Sequence, residues 1–105
     1  MAQFDVFENS NPETRDRIPY LVDLQNSLLS ELPTRVVAPL YAAGEISVLG
    51  PKSLCPRFEI EGRVVTLHPF EMAGIPVRLL GRRIVALEDR RADLVGAVDA
   101  VIGGV

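Results

Sequence analysis

The last seventeen residues of the chain, 89–105, constrain its fold most, because no other long segment has a helical period. Apolar side chains in this segment recur at three- and four-residue spacing and form one stripe: Leu94, Ala97, Val98, Val101 and Ile102. Asp89 is the expected N-cap, and Asp93 lies in the first turn, where the helix dipole favours negative charge. Gly103 and Gly104 are expected to end the helix. The pattern predicts an amphipathic helix that closes a small β core, or else a helix and chain end that together form a working surface.

Short segments of alternating hydrophobicity occupy the rest of the chain and predict roughly seven strands, or eight when both strands of the hairpin are counted. They are residues 3–7, 20–24, 35–40, 46–49, 75–80 and 83–87, together with a hairpin over 58–68 that turns at Gly62. Pro39 lacks a backbone N–H, which predicts that the third strand lies at a sheet edge or ends at a bulge. Gly81 and Arg82 are the expected turn between the last two strands. Short strands at this spacing indicate a small barrel or sandwich.

The composition predicts one soluble globular domain that spans residues 1–105. Hydrophobic residues make up 48% of the chain and charged residues 24%, which is ordinary for such a domain. Trp is absent and aromatic residues are few, so Val, Leu and Ile must supply most of the core. Because such a core is small, a homodimer would be an effective way to bury more surface. The formal net charge of −3 and the lack of a long basic run argue against direct binding of nucleic acid.

Cysteine usage and hydropathy predict a protein of the reducing cytoplasm. Cys55 is the only cysteine, so the chain can form neither an internal disulfide nor a cysteine metal cluster. The sequence has no apolar segment of the kind found in cleavable signals, and no apolar run of membrane-spanning length. We therefore expect no membrane partner, no metal and no cofactor.

No group of residues in the sequence has the pattern of an active site. His68 is the single histidine and precedes Pro69 at a strand end, where we expect it to be exposed or hydrogen-bonded and not catalytic. Glu59 and Glu61 are a possible carboxylate pair, although alternating outward Glu is ordinary on a half-exposed hairpin. No serine stands in the context of a nucleophile elbow. The sequence therefore predicts a protein that is not an enzyme.

Three segments in a characteristic order carry a family resemblance. Residues 22–25 read VDLQ, residues 35–40 read RVVAPL and residues 72–77 read MAGIPV, and the chain end follows at a matching distance. Over essentially its whole length, the sequence resembles the CcdB family of plasmid and chromosomal toxins. The resemblance implies a mainly β fold: an SH3-like barrel of a five-stranded antiparallel sheet and a smaller three-stranded sheet, with a C-terminal α-helix.

The same resemblance implies a function in a type II toxin–antitoxin system, of the kind that serves plasmid maintenance. Toxins of this family are homodimers that enter the A subunit of DNA gyrase and trap the enzyme while the DNA is cleaved. A CcdA-like antitoxin neutralises the toxin by wrapping a disordered C-terminal segment along the dimer. A toxin of this kind is a ligand that stabilises one state of its target, so it needs no catalytic residue.

Two binding surfaces follow from the resemblance. The gyrase-binding positions correspond to Asp99, Ile102, Gly103, Gly104 and Val105, and the antitoxin surface to Leu28 and Leu29. The family usually carries an aromatic pair that ends in Trp where this sequence has Ile102 and Gly103, and Asn where it has Asp99. Without the Trp, the stacking contact with a gyrase arginine is lost.

Three functions remain open from the sequence. The first is a gyrase toxin, weakened or using other contacts, and the second is a CcdB-fold protein that binds an antitoxin but no longer poisons gyrase. The third is a ribonuclease like MazF and Kid, which share the fold; Arg15, Arg17 and Thr66 would then serve RNA cleavage. The acidic charge balance and the order of the matching segments rank the ribonuclease last.

Overall fold

The structure, a computed structural model, describes residues 2–44 and 54–103. Seven strands lie in these ranges: β1 (Asp5–Asn9), β2 (Tyr20–Asp23), β3 (Thr34–Ala42), β4 (Arg57–Ile60), β5 (Arg63–Leu67), β6 (Ala73–Pro76) and β7 (Leu80–Ala86). Helix α1 (Arg91–Ile102) follows them. Short 3₁₀ turns occur at Ser27–Leu29, Pro69–Glu71, Val77–Leu79 and Glu88–Arg90. The predicted strand at 46–49 lies outside the described residues.

Strand β3 joins the two parts of one curled antiparallel sheet. One edge of β3 pairs with β2, whereas the other edge pairs first with β6 and then with β5. Strands β6, β3, β2, β1 and β7 thereby form a five-stranded part, and β4, β5 and β3 form a three-stranded part. The predicted SH3-like barrel with a C-terminal helix is confirmed.

Pro39 lies in a central strand, so the prediction of an edge position is wrong. Its Cα partner on β2 is Leu21, and its carbonyl oxygen accepts a hydrogen bond from the N–H of His68 (3.1 Å) on the other side. The N and O of one strand residue point to the same edge, so the missing donor of Pro39 also faces that side. There the β6 ladder reaches Val37 and the β5 ladder begins at Leu40. The proline is tolerated because it falls between the two ladders.

Backbone dihedrals explain where the outer strands begin and turn. The predicted turn of the β4–β5 hairpin is confirmed, since Glu61 and Gly62 have φ of 52° and 77°, as a two-residue type I′ turn requires. Strand β1 begins at Asp5 and not at Gln3 as predicted. The reason is Phe4, whose φ of 72° takes the chain out of the extended region.

The predicted turn at Gly81 is wrong, because the chain turns earlier, at the 3₁₀ turn Val77–Leu79. Strand β7 continues through Gly81, where its pairing with β1 is shifted in register and the two strands pass close to each other. A Cβ at Gly81 would lie 2.8 Å from the carbonyl oxygen of Glu8. This glycine therefore permits the close approach of two strands and does not change the direction of the chain.

The apolar core lies between one face of the sheet and α1. Its members are Phe4, Val6, Tyr20, Val22, Ala38, Leu40, Phe58, Ile60, Val65, Leu67, Leu87, Leu94 and Ala97. Only Leu94 and Ala97 of α1 are buried, so the predicted apolar stripe packs most closely in its first half, whereas Val98 and Val101 are half-buried and Ile102 is exposed. The helix begins at Arg91, after the 3₁₀ turn, and Asp89 is not its N-cap as predicted. Asp93 does lie in the first turn.

Candidate functional site

The loop after β2 places two predicted antitoxin-binding residues in solvent. Asn26 caps the 3₁₀ turn there, because its side-chain oxygen accepts a hydrogen bond from the N–H of Leu28 (2.9 Å). Leu28 is 90% exposed and Leu29 is 50% exposed. Residues 27–32, which also expose Leu32, are called the leucine loop below. Adjacent exposed leucines form the kind of apolar patch that protein partners cover.

The end of α1 exposes the predicted gyrase-binding residues that the structure describes. Asp99 is exposed in the last turn, and Ile102 is 69% exposed at the end of the helix. Gly103 occupies the C-cap position, where its N–H donates to the carbonyl oxygen of Asp99 (2.7 Å). Gly104 and Val105 lie outside the described residues. The described part of this tail therefore continues the helix and is accessible.

The leucine loop and the tail lie beside the same small groove. Gln3, Leu24, Val98 and Asp99 are among the residues that line this groove of about 110 Å³. The backbone N–H of Gln3 donates to Ser27 Oγ (3.1 Å), and its side-chain amide donates to the carbonyl oxygen of Leu24 (3.1 Å). Gln3 therefore lies between the base of the leucine loop and the groove that Asp99 lines.

Two consecutive arginines at the start of α1 pack over aromatic rings beside the sheet. The guanidinium group of Arg90 lies 4.4 Å from the ring centroid of Phe58, and that of Arg91 lies 5.3 Å from the ring centroid of Phe4. Arg90 also pairs with Asp93 (2.7 Å). A cation–π contact is worth about 0.5–1 kcal/mol at an exposed site. The helix is thus held at its beginning, and Asp99 and Ile102 are exposed near its end.

A buried polar network that was not evident from the sequence lies beneath the leucine loop. Asp23 and Arg35 are fully buried, and Nε and one terminal nitrogen of the arginine lie 2.8 and 2.6 Å from Asp23 Oδ2. The backbone N–H of Gln25 donates to the other carboxylate oxygen (2.9 Å). Strand alternation puts Asp23 and Arg35 on the face opposite the core residues Val22 and Ala38. The alternation therefore identifies the face on which both residues lie. From the alternation alone, however, this face and its two charged side chains would be expected to be exposed to solvent.

His68 is buried, which contradicts the expectation of an exposed or hydrogen-bonded residue. It is 1% exposed, and neither ring nitrogen has a hydrogen-bond partner among the described residues. Its ring packs between those of Tyr41 and Phe70, with centroid distances of 4.4 and 5.0 Å. Burial lowers the pKa of His68, although the nearby carboxylate of Glu71 acts in the opposite direction. A neutral imidazole enclosed in this way packs the interior and reaches no substrate.

The tyrosines beside these groups are also held in the neutral form. The hydroxyl of Tyr41 donates to Glu71, and burial together with this hydrogen bond raises the pKa of Tyr41 to about 12. Burial and a hydrogen bond to Glu61 (2.6 Å) raise the pKa of Tyr20. Glu61 lies in the hairpin turn, so it does not form the predicted pair with Glu59 on β4. Glu61 and Glu71 therefore each accept a hydrogen bond from a tyrosine hydroxyl, and Glu61 does not form an acid–base pair with Glu59.

Residues 2–44 and 54–103 contain neither a cluster of metal ligands nor a membrane-spanning helix. No group of three or more His, Cys, Asp or Glu side chains in these ranges could hold a metal ion. No helix in the same ranges is long and apolar enough to cross a membrane. Cys55 is buried.

The residues considered for RNA cleavage do not line one common cavity. Arg15 lines an open polar cleft of about 490 Å³ together with Arg63. Thr66 is buried and lines a different cavity, beside Tyr41. Arg17 is exposed, and its carbonyl oxygen accepts a backbone hydrogen bond on the edge of β3. Arg17 thus lies near the cavity of Thr66, but Arg15 lines another one, and this separation of Arg15 does not favour the ribonuclease.

The fold and its exposed surfaces define a class of small protein: an SH3-like barrel with a C-terminal helix and apolar side chains exposed beside one groove. Comparison with known protein families places the chain within this class. The family described as CcdB protein matches residues 3–104 of the 105-residue chain. The chain belongs to the CcdB family, a family of toxins from toxin–antitoxin systems. The resemblance found in the sequence is thereby confirmed.

Proposed function

We propose that the protein is a toxin that binds the A subunit of DNA gyrase and traps the complex in which DNA is cleaved. Membership of the CcdB family supports the toxin role. The observation that carries the choice of target is the accessible tail. At positions where the family resemblance implies gyrase contacts, Asp99 and Ile102 are exposed at the end of a helix that is anchored at its start. A buried tail would have been incompatible with this role.

In the proposed mechanism the protein acts as a ligand and not as an enzyme. A ligand shifts an equilibrium toward the state that it binds more tightly, so a toxin that prefers the cleaved complex makes that complex accumulate. A preformed helix end also loses less conformational entropy on binding than a flexible segment does. No step in this mechanism needs a general base, in agreement with the enclosed position of His68.

The composition of the tail predicts weak poisoning. Ile102 and Gly103 stand where the family usually carries two aromatic residues, and Gly103 has no side chain that could stack on an arginine. Loss of such an anchor lowers affinity roughly a hundredfold. Asp99, in place of an uncharged Asn, adds a negative charge to the same surface. These departures favour a second candidate function, in which the protein binds an antitoxin but does not poison gyrase.

We further propose that the leucine loop binds a CcdA-like antitoxin and that the toxin works as a homodimer in the cytoplasm. The exposure of Leu28 beside Leu29 supports the first point, since a partner that covers both would bury a continuous apolar patch. The loop lies beside the groove that Leu24 and Asp99 line. An antitoxin segment bound to the loop would therefore obstruct the approach of gyrase to the tail.

A gyrase cleavage assay tests the first function. Purified protein is incubated with bacterial gyrase, ATP and supercoiled plasmid, and linear DNA is measured after denaturation of the enzyme. Linear DNA that increases with protein concentration is expected for a gyrase toxin. If none appears at a large excess of protein, the chain is not a gyrase poison, and the second function becomes the better account.

A variant that restores the aromatic pair makes the same assay more sensitive. Ile102→Phe combined with Gly103→Trp restores the pair, since Gly103 has φ of −80°, a value that any residue adopts. The new Cβ would lie 3.2 Å from the carbonyl oxygen of Asp99, so the end of the helix has to shift by a few tenths of an ångström. We expect linear DNA to appear at a roughly hundredfold lower protein concentration. Val64→Phe, at an exposed position on β5, is the matched control and should change nothing.

Antitoxin binding is tested with the C-terminal segment of a CcdA-like antitoxin. Leu28→Asp should weaken its binding strongly, because a charge would stand within the apolar patch, and should leave unfolding unchanged. Val64→Asp, also at an exposed apolar position, is the control. Equal affinities of Leu28→Asp and Val64→Asp would place the antitoxin elsewhere on the protein.

A further inference from the structure

The leucine loop is joined to the sheet by one buried side chain, that of Gln25. Gln25 is only 7% exposed, although Leu28, three residues later in the chain, is 90% exposed. Its side-chain nitrogen donates to the carbonyl oxygen of Leu29 (3.0 Å). Its side-chain oxygen accepts a hydrogen bond from the backbone N–H of Val36 on β3 (3.0 Å). A single amide group thereby links the loop to a central strand.

The buried ion pair also fixes the position of the Gln25 backbone through hydrogen bonds. The N–H of Gln25 donates to Asp23 Oδ1 (2.9 Å), and a terminal nitrogen of Arg35 donates to the carbonyl oxygen of Gln25 (3.4 Å). Asp23 and Arg35 fully bury their charges in making these contacts. A buried ion pair adds little net stability compared with apolar side chains of similar volume, because both charges must leave water. Its directional bonds do fix one conformation of the residue that they surround.

We propose that Gln25 is a positioning residue that keeps the leucine loop ordered before a partner binds. Leu28 and Leu29 are then already in the conformation that the partner contacts. This inference rests on the proposed function, because it takes the loop to be the antitoxin surface. A loop that is ordered before association loses less conformational entropy on binding, so it binds more tightly than a loop that becomes ordered on contact. Ser27 makes a second link to Gln3, but that hydrogen bond is exposed to water and weaker for that reason.

Hydrogen exchange on the full-length protein tests whether Gln25 orders the loop. Gln25→Met keeps the length of the side chain and removes both of its hydrogen bonds. We expect exchange at the amides of Leu28 and Leu29 to become about tenfold faster, because local opening of the loop becomes easier. The amide of Val22, in a core strand, should keep its wild-type rate. Should Gln25→Met not fold, Gln25→Glu keeps the acceptor for Val36 and removes only the donor to the loop.

Binding of the same CcdA-like antitoxin segment tests whether this order matters for function. Gln25→Met should bind it about tenfold more weakly than the wild type. Asn9→Leu is the matched control, since it also removes an amide that anchors an exposed loop, through hydrogen bonds to Thr14 Oγ1 and the carbonyl oxygen of Ile18 (both 2.9 Å). Asn9 stands at the opposite end of β1 from Gln3, so its loss should destabilise the protein and leave the affinity unchanged.

Three results would overturn the positioning role. They are unchanged exchange at Leu28 and Leu29 in Gln25→Met, unchanged affinity in that variant, and an equal loss of affinity in Asn9→Leu. Failure of the wild type to bind the antitoxin segment would instead count against the proposed antitoxin surface. In that case the exchange rates still decide whether Gln25 orders the loop.

Discussion

The two faces of the sheet bury different kinds of side chain. The face toward α1 carries only the apolar cluster, in which Val22, Leu40 and Leu94 are fully buried. The opposite face buries polar and charged side chains beside a few apolar ones (Phe7, Val37 and Tyr41). The polar and charged ones are Asp5, Asp23, Arg35, Thr66 and, just after β5, His68. Apolar burial is non-directional and stabilises any compact arrangement, whereas buried polar groups must satisfy one geometry. The first face therefore accounts for most of the stability, and the second fixes the positions of the loops.

Breaking the ion pair of the polar face should have the largest effect. Asp23→Ala leaves the guanidinium group of Arg35 buried without its carboxylate, so we expect the free energy of unfolding to fall by about 3–5 kcal/mol. The double replacement Asp23→Leu with Arg35→Met removes both charges and should recover most of the loss. Urea unfolding measures both effects. If the double variant is as unstable as the single one, the pair itself is a main source of stability and the comparison between the faces fails.

Truncation on the apolar face should have the next largest effect, and only in the first half of α1. Leu94→Ala removes a fully buried side chain and should lower the free energy of unfolding by about 3 kcal/mol. Ile102→Ala truncates a side chain of similar size on the same helix, but its exposure predicts a change within about 0.5 kcal/mol. Urea unfolding of the two variants tests this difference. Similar losses in both would mean that the end of the helix is covered in solution.

The apolar face could be predicted from the sequence, whereas the polar face could not. The alternation of Phe58 and Ile60, and of Val65 and Leu67 on the return strand, identified four residues that are all buried. The same alternation assigns the other face to solvent. Burial of Asp23 and its partner depends on which segments come to cover that face, and hydrophobic periodicity does not report this.

The candidate site followed from the family resemblance and not from periodicity. The helical stripe placed Ile102 on the same apolar side as Leu94, but the buried positions of the helix end at Ala97. The accessibility of the tail was therefore visible only in the structure. The role of Gln25 was hidden for another reason: its partners, Leu29 and Val36, belong to a loop and a strand whose contact the sequence does not specify.

Acid should destabilise the polar face through His68. Burial lowers the pKa of His68 in the folded protein, so the unfolded chain takes up this proton at a higher pH than the folded chain does. The contribution of neutral His68 is complete above the ordinary value of 6.5 and is lost as the pH falls toward the lowered folded pKa. Urea unfolding between about pH 8 and pH 5 should show a steeper loss of stability in the wild type than in His68→Phe. Parallel curves would show that His68 remains neutral, or is equally easy to protonate, in both states.

The smallest effect, with the opposite sign, is expected on the outer side of α1, which packs against neither face. Glycine within a helix is less stable than alanine by about 0.5–1 kcal/mol, and a Cβ at Gly96 would meet no described atom within 4 Å. Gly96→Ala should therefore raise the free energy of unfolding by up to about 1 kcal/mol. Gly81→Ala is the contrasting control, because its Cβ would collide with the backbone of Glu8 and should destabilise the protein. If Gly96→Ala is destabilising as well, a second molecule covers this side of the helix in solution, and a homodimer would supply a third packed face.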